Sequence, residues 1–212
     1  MQLDVVIDVV CPWCYLGKRQ LDKALEMRPG LITDVRYRPY QLGPDTPPEG
    51  VDRTEYYAKK FGDSPQLKAG REHLLKVGET LGITFDFESK CTIGNTLDAH
   101  RLIRWAYSSG VQAEVADRIM QLYFEECQFI GDRELLVSVA VEKGMDGALV
   151  ADLLASDKDI AEVKGELAAA QQMGVTGVPM FIFDNKAGVS GAQEANVLVN
   201  VMDKLQSEKQ AS

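Results

Sequence analysis

The chain has 212 residues, 45% apolar and 26% charged, with 23 basic against 32 acidic side chains and a formal net charge of −9. Such a chain forms one globular domain with an insertion, or two small domains, with enough residues to bury a real core. The acidic balance excludes nucleic acid and an anionic membrane surface as the main partner, because phosphate contacts need clustered Lys and Arg, and no apolar run approaches the roughly 20 residues of a membrane span.

Leu3 to Val10 is almost wholly branched and apolar, interrupted by Asp4 and Asp8, and predicts a buried strand. Neither a basic segment nor a cleavage site precedes it. The expectation is therefore no signal peptide and a cytoplasmic protein whose thiols stay mostly reduced. Cys-Pro-Trp-Cys follows at 11–14, and Leu16, Leu21, Ala24, Leu25 and Met27 then recur at helical spacing until "RPGL" stops them. "LITDVRYRPY" (31–40) alternates as a second strand, and "QLGPDTPPEG" is a Pro/Gly loop. From Arg53 to Met173 only helical patterns occur, with Asn95, Asp132 and Ser156 as expected caps. "VPMFIFD" and "GVSG" flank "NKA" as a hairpin, and "AQEANVLVNVMDKL" predicts a closing helix, with a short polar tail after Leu205. The first strand–helix–strand unit implies a parallel pair and the hairpin adds antiparallel strands. The predicted fold is a mixed α/β sheet with helices on both faces and a large helical insertion.

Three readings compete for the two cysteines. With Cys11 at the N-cap and Pro12 at the first helical position, Cys11 sits where free N–H groups and the helix dipole favour an anion. Its pKa is then expected well below the free value of ~8.5. Cys14 lies one turn on, placed to close a disulfide or resolve a mixed one. A structural zinc site needs four ligands, and Cys91, Cys127, His73 and His100 are scattered without ligand spacing. Inert buried thiols are the third reading, weighed against by a strand-to-helix turn that should leave Cys11 near the surface. Trp13, between the cysteines, is expected to be exposed and to touch substrate or tune the loop. Cys91 and Cys127 are expected to be free, buried or half-buried thiols, with a second redox pair as the alternative.

"DVVCPWCYLGKRQL", "RYRPYQLGPD", "NTLDAHRL", "GVTGVPMFIF" and "VSGAQ", in this order, resemble the DsbA-like branch of the thioredoxin superfamily, most closely its FrnE group of cytoplasmic oxidoreductases. The resemblance spans nearly the whole chain. It implies a thioredoxin fold (1–50 and 160–212) interrupted by an all-helical domain (51–159). It also implies a cis Val178–Pro179 bond facing the dithiol, with the Val178 main chain free to pair with an extended substrate. His100, by its family position, would face the active site; its alternative is an ordinary core or surface histidine. The implied activity is disulfide exchange through Cys11 and Cys14 with protein or small-thiol substrates, contacted by Pro12, Trp13, Val178 and Pro179. No bound cofactor or metal is implied, although glutathione could serve as co-substrate. Two alternatives stand beside it. One is a glutathione-dependent isomerase or transferase, like the 2-hydroxychromene-2-carboxylate isomerases and kappa-class glutathione transferases that share this outline but typically carry serine where Cys11 stands. The other is a non-enzymatic, chaperone-like binder.

Overall fold

The computed structural model describes residues 1–62 and 64–210. Strand β1 (Gln2–Ile7) leads through a tight turn into helix α1 (Pro12–Met27), and β2 (Asp34–Pro39) returns beside β1. Helices α2 (Arg53–Phe61) to α8 (Ile160–Gln172) separate β2 from the hairpin β5 (Met180–Phe183) and β6 (Ala187–Ser190), and α9 (Ala195–Gln210) closes the chain. Among the described residues the main sheet runs β2–β1–β5–β6. β1 is parallel to β2, with Leu3 opposite Val35, and antiparallel to β5, with Leu3 opposite Phe183.

β1 reads as a continuous apolar run because both of its faces are covered. Leu3, Val5 and Ile7 enter the main core with residues of α1, α5 (Gln112–Phe124) and α9, while Val6 joins Ala170 of α8 and Val175 just after it on the other side. Asp4, on this central strand between β2 and β5, accepts from Arg38 Nε at 2.7 Å. α1 lies close over β5 because position 17 is glycine: a Cβ there would meet the Pro179 ring at 2.8 Å and Phe181 at 3.2 Å.

The stretch read as purely helical holds one further pairing. β3 (Val51–Asp52) lies antiparallel to β4 (Thr92–Ile93), between α3 (Pro65–Thr80) and α4 (Leu97–Ser108) in the case of β4. Two-residue strands are too short to show a period. Of the expected caps, Asp132 holds its place and accepts from Glu134 N at 2.9 Å, whereas the N-cap of α4 is Thr96 and Asn95, one residue before it, accepts from Leu97 N at 3.0 Å. Ser156 instead follows α7 (Gly147–Ala155) as its C-cap, and Asp159 is the N-cap of α8. The cause is Arg101, wholly buried on α4, whose guanidinium donates to the carbonyls of Leu153, Ser156 and Lys158 and shapes this corner. The polar segment after Leu205 continues α9 to Gln210, and the last two residues of that expected tail lie outside the described residues.

Candidate active site

Where β1 ends, Cys11 N donates to Asp8 O at 3.0 Å, closing the turn that sets Cys11 as the N-cap of α1 with extended backbone (φ −93°, ψ 113°) and Pro12 first in the helix. No side chain caps this end, so the first N–H groups of α1 face the Cys11 sulfur's neighbourhood. The Cys11 thiol donates to Val178 O at 3.6 Å, and the Val178–Pro179 bond is cis. Gly191 N donates to Pro179 O at 2.9 Å, so the Ser190–Gln193 turn braces this loop.

Cys11 is only 3% exposed, contrary to the expectation of a surface thiol. It is nevertheless reachable, because it lines a cavity of ≈ 460 Å³ together with Pro12, Trp13 and Val178. Tyr56, Tyr57, Lys60 and Phe61 of α2, and Leu67, Arg71 and Leu74 of α3, form the opposite wall. Lys60 and Arg71 are the charged side chains among these walls, so an acidic protein offers a cationic, aromatic pocket beside its thiol. Burial, and then the neighbouring Cys11, push the Tyr57 phenol up to about 12, which keeps it an O–H donor at neutral pH. Trp13 is not the exposed flag expected of it: it packs on α3 against the His73 ring, with centroids 5.7 Å apart.

Cys14 is fully buried one turn behind Cys11, and both are free thiols. Burial pushes the Cys14 thiol well above its ordinary pKa, and its hydrogen bond with Cys11 adds to the rise. The two sulfurs are therefore unequal: Cys14 holds its proton, and Cys11 is the one open to a ligand.

The residue the sequence reading passed over is Asp8, treated there as an interruption of a strand. It is 0% exposed. Its Oδ2 accepts from Leu42 N at 2.7 Å, while Oδ1 has no hydrogen-bond partner among the described residues. Oδ1 lies 3.5 Å from His100 Nε2, and that nitrogen is 2.9 Å from Tyr40 O. A carbonyl only accepts, so Nε2 carries the proton. His100, expected to contact substrate, is 2% exposed and stands behind the dithiol, away from the cavity walls. A fully buried polar atom in a sequence otherwise built to bury Val and Ile was the available signal for Asp8.

Cys91 and Cys127, expected to be free, are bonded to each other. The fold brings their Cα atoms to 5.3 Å across 36 residues, within bridging range. Sequence spacing carries no trace of such a long-range approach. Among the described residues no three His, Cys, Asp or Glu side chains converge as a metal site, and no helix is long and apolar enough to cross a membrane.

Residues 2–203 match the family model of the DsbA-like thioredoxin domain. The solved structure of a probable DsbA oxidoreductase, SCO1869 from Streptomyces coelicolor, superposes with a TM-score of 0.89 at 31% identity, covering 98% of this chain and 91% of that one. A 2-hydroxychromene-2-carboxylate isomerase superposes at 0.75 with 18% identity, covering 100% and 98% of the two chains. The cytosolic disulfide reductase DsbM from Pseudomonas aeruginosa, in its structure with GSH, superposes at 0.62 with 17% identity, covering 100% and 98%. At such identities these last two speak for the fold alone.

Proposed function

The chain belongs to the DsbA-like thioredoxin family, and from that premise we propose that it is a thiol–disulfide oxidoreductase in which Cys11 makes the mixed disulfide and Cys14 resolves it. The observation that carries this reading is the inequality of the two sulfurs. Cys11 lines the cavity 3.6 Å from the Val178 carbonyl, and Cys14 is sealed behind it with a raised pKa. The Cys11 thiolate attacks one sulfur of a substrate disulfide, and the first substrate thiolate leaves. The substrate backbone pairs with Val178 during this step. Cys14 then attacks the Cys11 sulfur, the second substrate thiolate leaves, and the enzyme is left as disulfide. Cys14 cannot pass its proton to water from a sealed position. The Asp8 side chain, whose charge helps raise the Cys14 pKa and whose Oδ1 has no hydrogen-bond partner among the described residues, receives that proton. In this proposal the protein is of the FrnE group and works in the cytosol, where glutathione returns it to the dithiol.

The cavity supports a second reading, a glutathione-dependent isomerase or transferase. Aromatic walls with Lys60 and Arg71 suit a small aromatic acid. Cys14→Ser separates the two. An oxidoreductase so altered accumulates a disulfide adduct at Cys11, seen by intact mass, and stops turning over insulin or mixed glutathione disulfides. Full turnover without adduct would abandon the dithiol mechanism in favour of the isomerase.

A further inference from the structure

No step above uses the Cys91–Cys127 bridge, yet its position couples it to the substrate cavity. Cys91 directly precedes β4, and its carbonyl accepts from Arg53 N, the first residue of α2, at 2.8 Å. Ile93 pairs with Val51 and is itself a cavity wall. β3 runs without a break into α2, capped where Asp52 accepts from Glu55 N at 2.9 Å. α2 carries Tyr56, Tyr57 and Phe61, three of the five aromatic side chains that line the cavity, together with Lys60. The wall facing Cys11 thus hangs from a two-residue strand pair, and the bridge ties that pair to the loop after α5 (Gln112–Phe124).

The two sulfurs of the bridge are also unequal. Cys91 is 2% exposed, whereas Cys127 is partly exposed. Cys127 holds a φ of 53°, the left-handed region that a side chain with a Cβ seldom occupies. Outliers of this kind persist where the surroundings hold them and gather at switches. In the reducing compartment that the sequence leads one to expect, disulfides are usually transient, catalytic or redox-sensing.

We propose that Cys91–Cys127 is a second exchangeable disulfide, attacked by a small thiol at Cys127, whose opening loosens the α2 wall and weakens substrate binding at Cys11. The thiolate bonds to the Cys127 sulfur, the S–S bond breaks, and Cys91 leaves as thiolate and takes up a proton. A second thiolate then attacks the small-thiol sulfur of the mixed disulfide and frees Cys127. Overall two thiols are oxidised to one disulfide while the bridge is reduced to two thiols. The binding half of this inference rests on the function proposed above; the exchange half does not.

The test starts from the full chain carrying Cys11→Ser and Cys14→Ser, so that one disulfide titrates. It is treated with glutathione under native conditions and mapped by peptide mass and amide exchange. The expected result is a glutathione adduct on Cys127, not Cys91, followed by bridge opening, with α2 amides exchanging about tenfold faster and α9 unchanged. In the otherwise native chain, Cys91→Ala with Cys127→Ala should raise KM for a disulfide substrate about fivefold with kcat within about twofold. A bridge that glutathione leaves intact, an adduct on Cys91, or opening without faster exchange in α2 would each overturn the proposal. An unchanged KM would overturn the coupling to binding. If the function proposed above is itself wrong, the parent chain shows no turnover while the adduct and exchange results still decide the bridge. If the alanine pair fails to fold, glutathione-opened parent protein supplies the exchange measurement.

Discussion

Two cysteine pairs sit in one small protein and are assembled in opposite ways. Cys11 and Cys14 are three residues apart, brought together by a single helical turn, and both remain thiols. Cys91 and Cys127 are 36 residues apart, brought together only by the finished fold, and are bonded. A local pair can open and close with little rearrangement, because the helix holds its geometry in either state. A remote pair ties two separate pieces of chain, so its opening is felt by whatever those pieces support. The comparison teaches that proximity alone does not assign a role: what each pair is attached to does.

The sharpest way to break the comparison is to remove one sulfur from each pair. Cys11→Ser should lower disulfide turnover by about a thousandfold or more, the order expected when a nucleophile is deleted. Cys127→Ser should leave kcat nearly unchanged in the same insulin assay. Equal losses would show that the pairs act together.

Next in size is stability. Closing a loop of 36 residues restrains the unfolded chain by about 4 kcal/mol on chain-entropy grounds, roughly twice what oxidising the closely spaced pair supplies. Urea unfolding of Cys91→Ala with Cys127→Ala, set beside the native chain in dithiol and disulfide forms, checks this order. A larger shift from the local pair would reverse it.

Asp8→Asn should slow resolution of a Cys11 mixed disulfide by about 10–100-fold, the usual weight of a general base. Its rate should also climb with pH more steeply than the parent's, since hydroxide must do what Asp8 did. Rapid-mix alkylation with mass analysis follows the decay of the adduct. Unchanged decay would remove Asp8 from the proton path and leave it a buried structural acid.

The smallest effect concerns alkaline pH. The folded Cys14 pKa is raised by burial. The stabilisation it contributes is therefore fully present below the unfolded thiol value of about 8.5 and is lost as pH rises from there through the folded value. Thermal unfolding of the dithiol form should weaken over that range, and less so in Cys14→Ala. Matching slopes would mean that Cys14 titrates as an ordinary thiol.

Much of the sheet and of the dithiol's setting was legible. β1 announced itself because every second residue, and most between, must be apolar when both faces are covered. The hairpin was legible because Asn-Lys-Ala, at 185–187, separates two short runs, and Asp184 and Asn185 do adopt positive φ there. Three features were not legible, for physical reasons. The bridge depends on a contact across 36 residues. β3 and β4 are shorter than any period. Asp8 acquires meaning only beside His100, 92 positions away. Arg101 escaped in the same manner. On α4 it reads as one more charged helical residue, until the fold gathers four carbonyls from the α7–α8 corner around it.

Gly17 links the nucleophile's helix to the loop that would receive substrate. A methyl group there would strike the Pro179 ring at 2.8 Å, so α1 cannot keep its seat on β5 with any other side chain unless that loop retreats. The Cys11 end of α1 and the Val178 carbonyl are thus geared through a missing atom. Substitutions on either side that move one must be answered on the other. During divergence, position 17 and the Val178–Pro179 segment should consequently change as a linked unit or hardly at all.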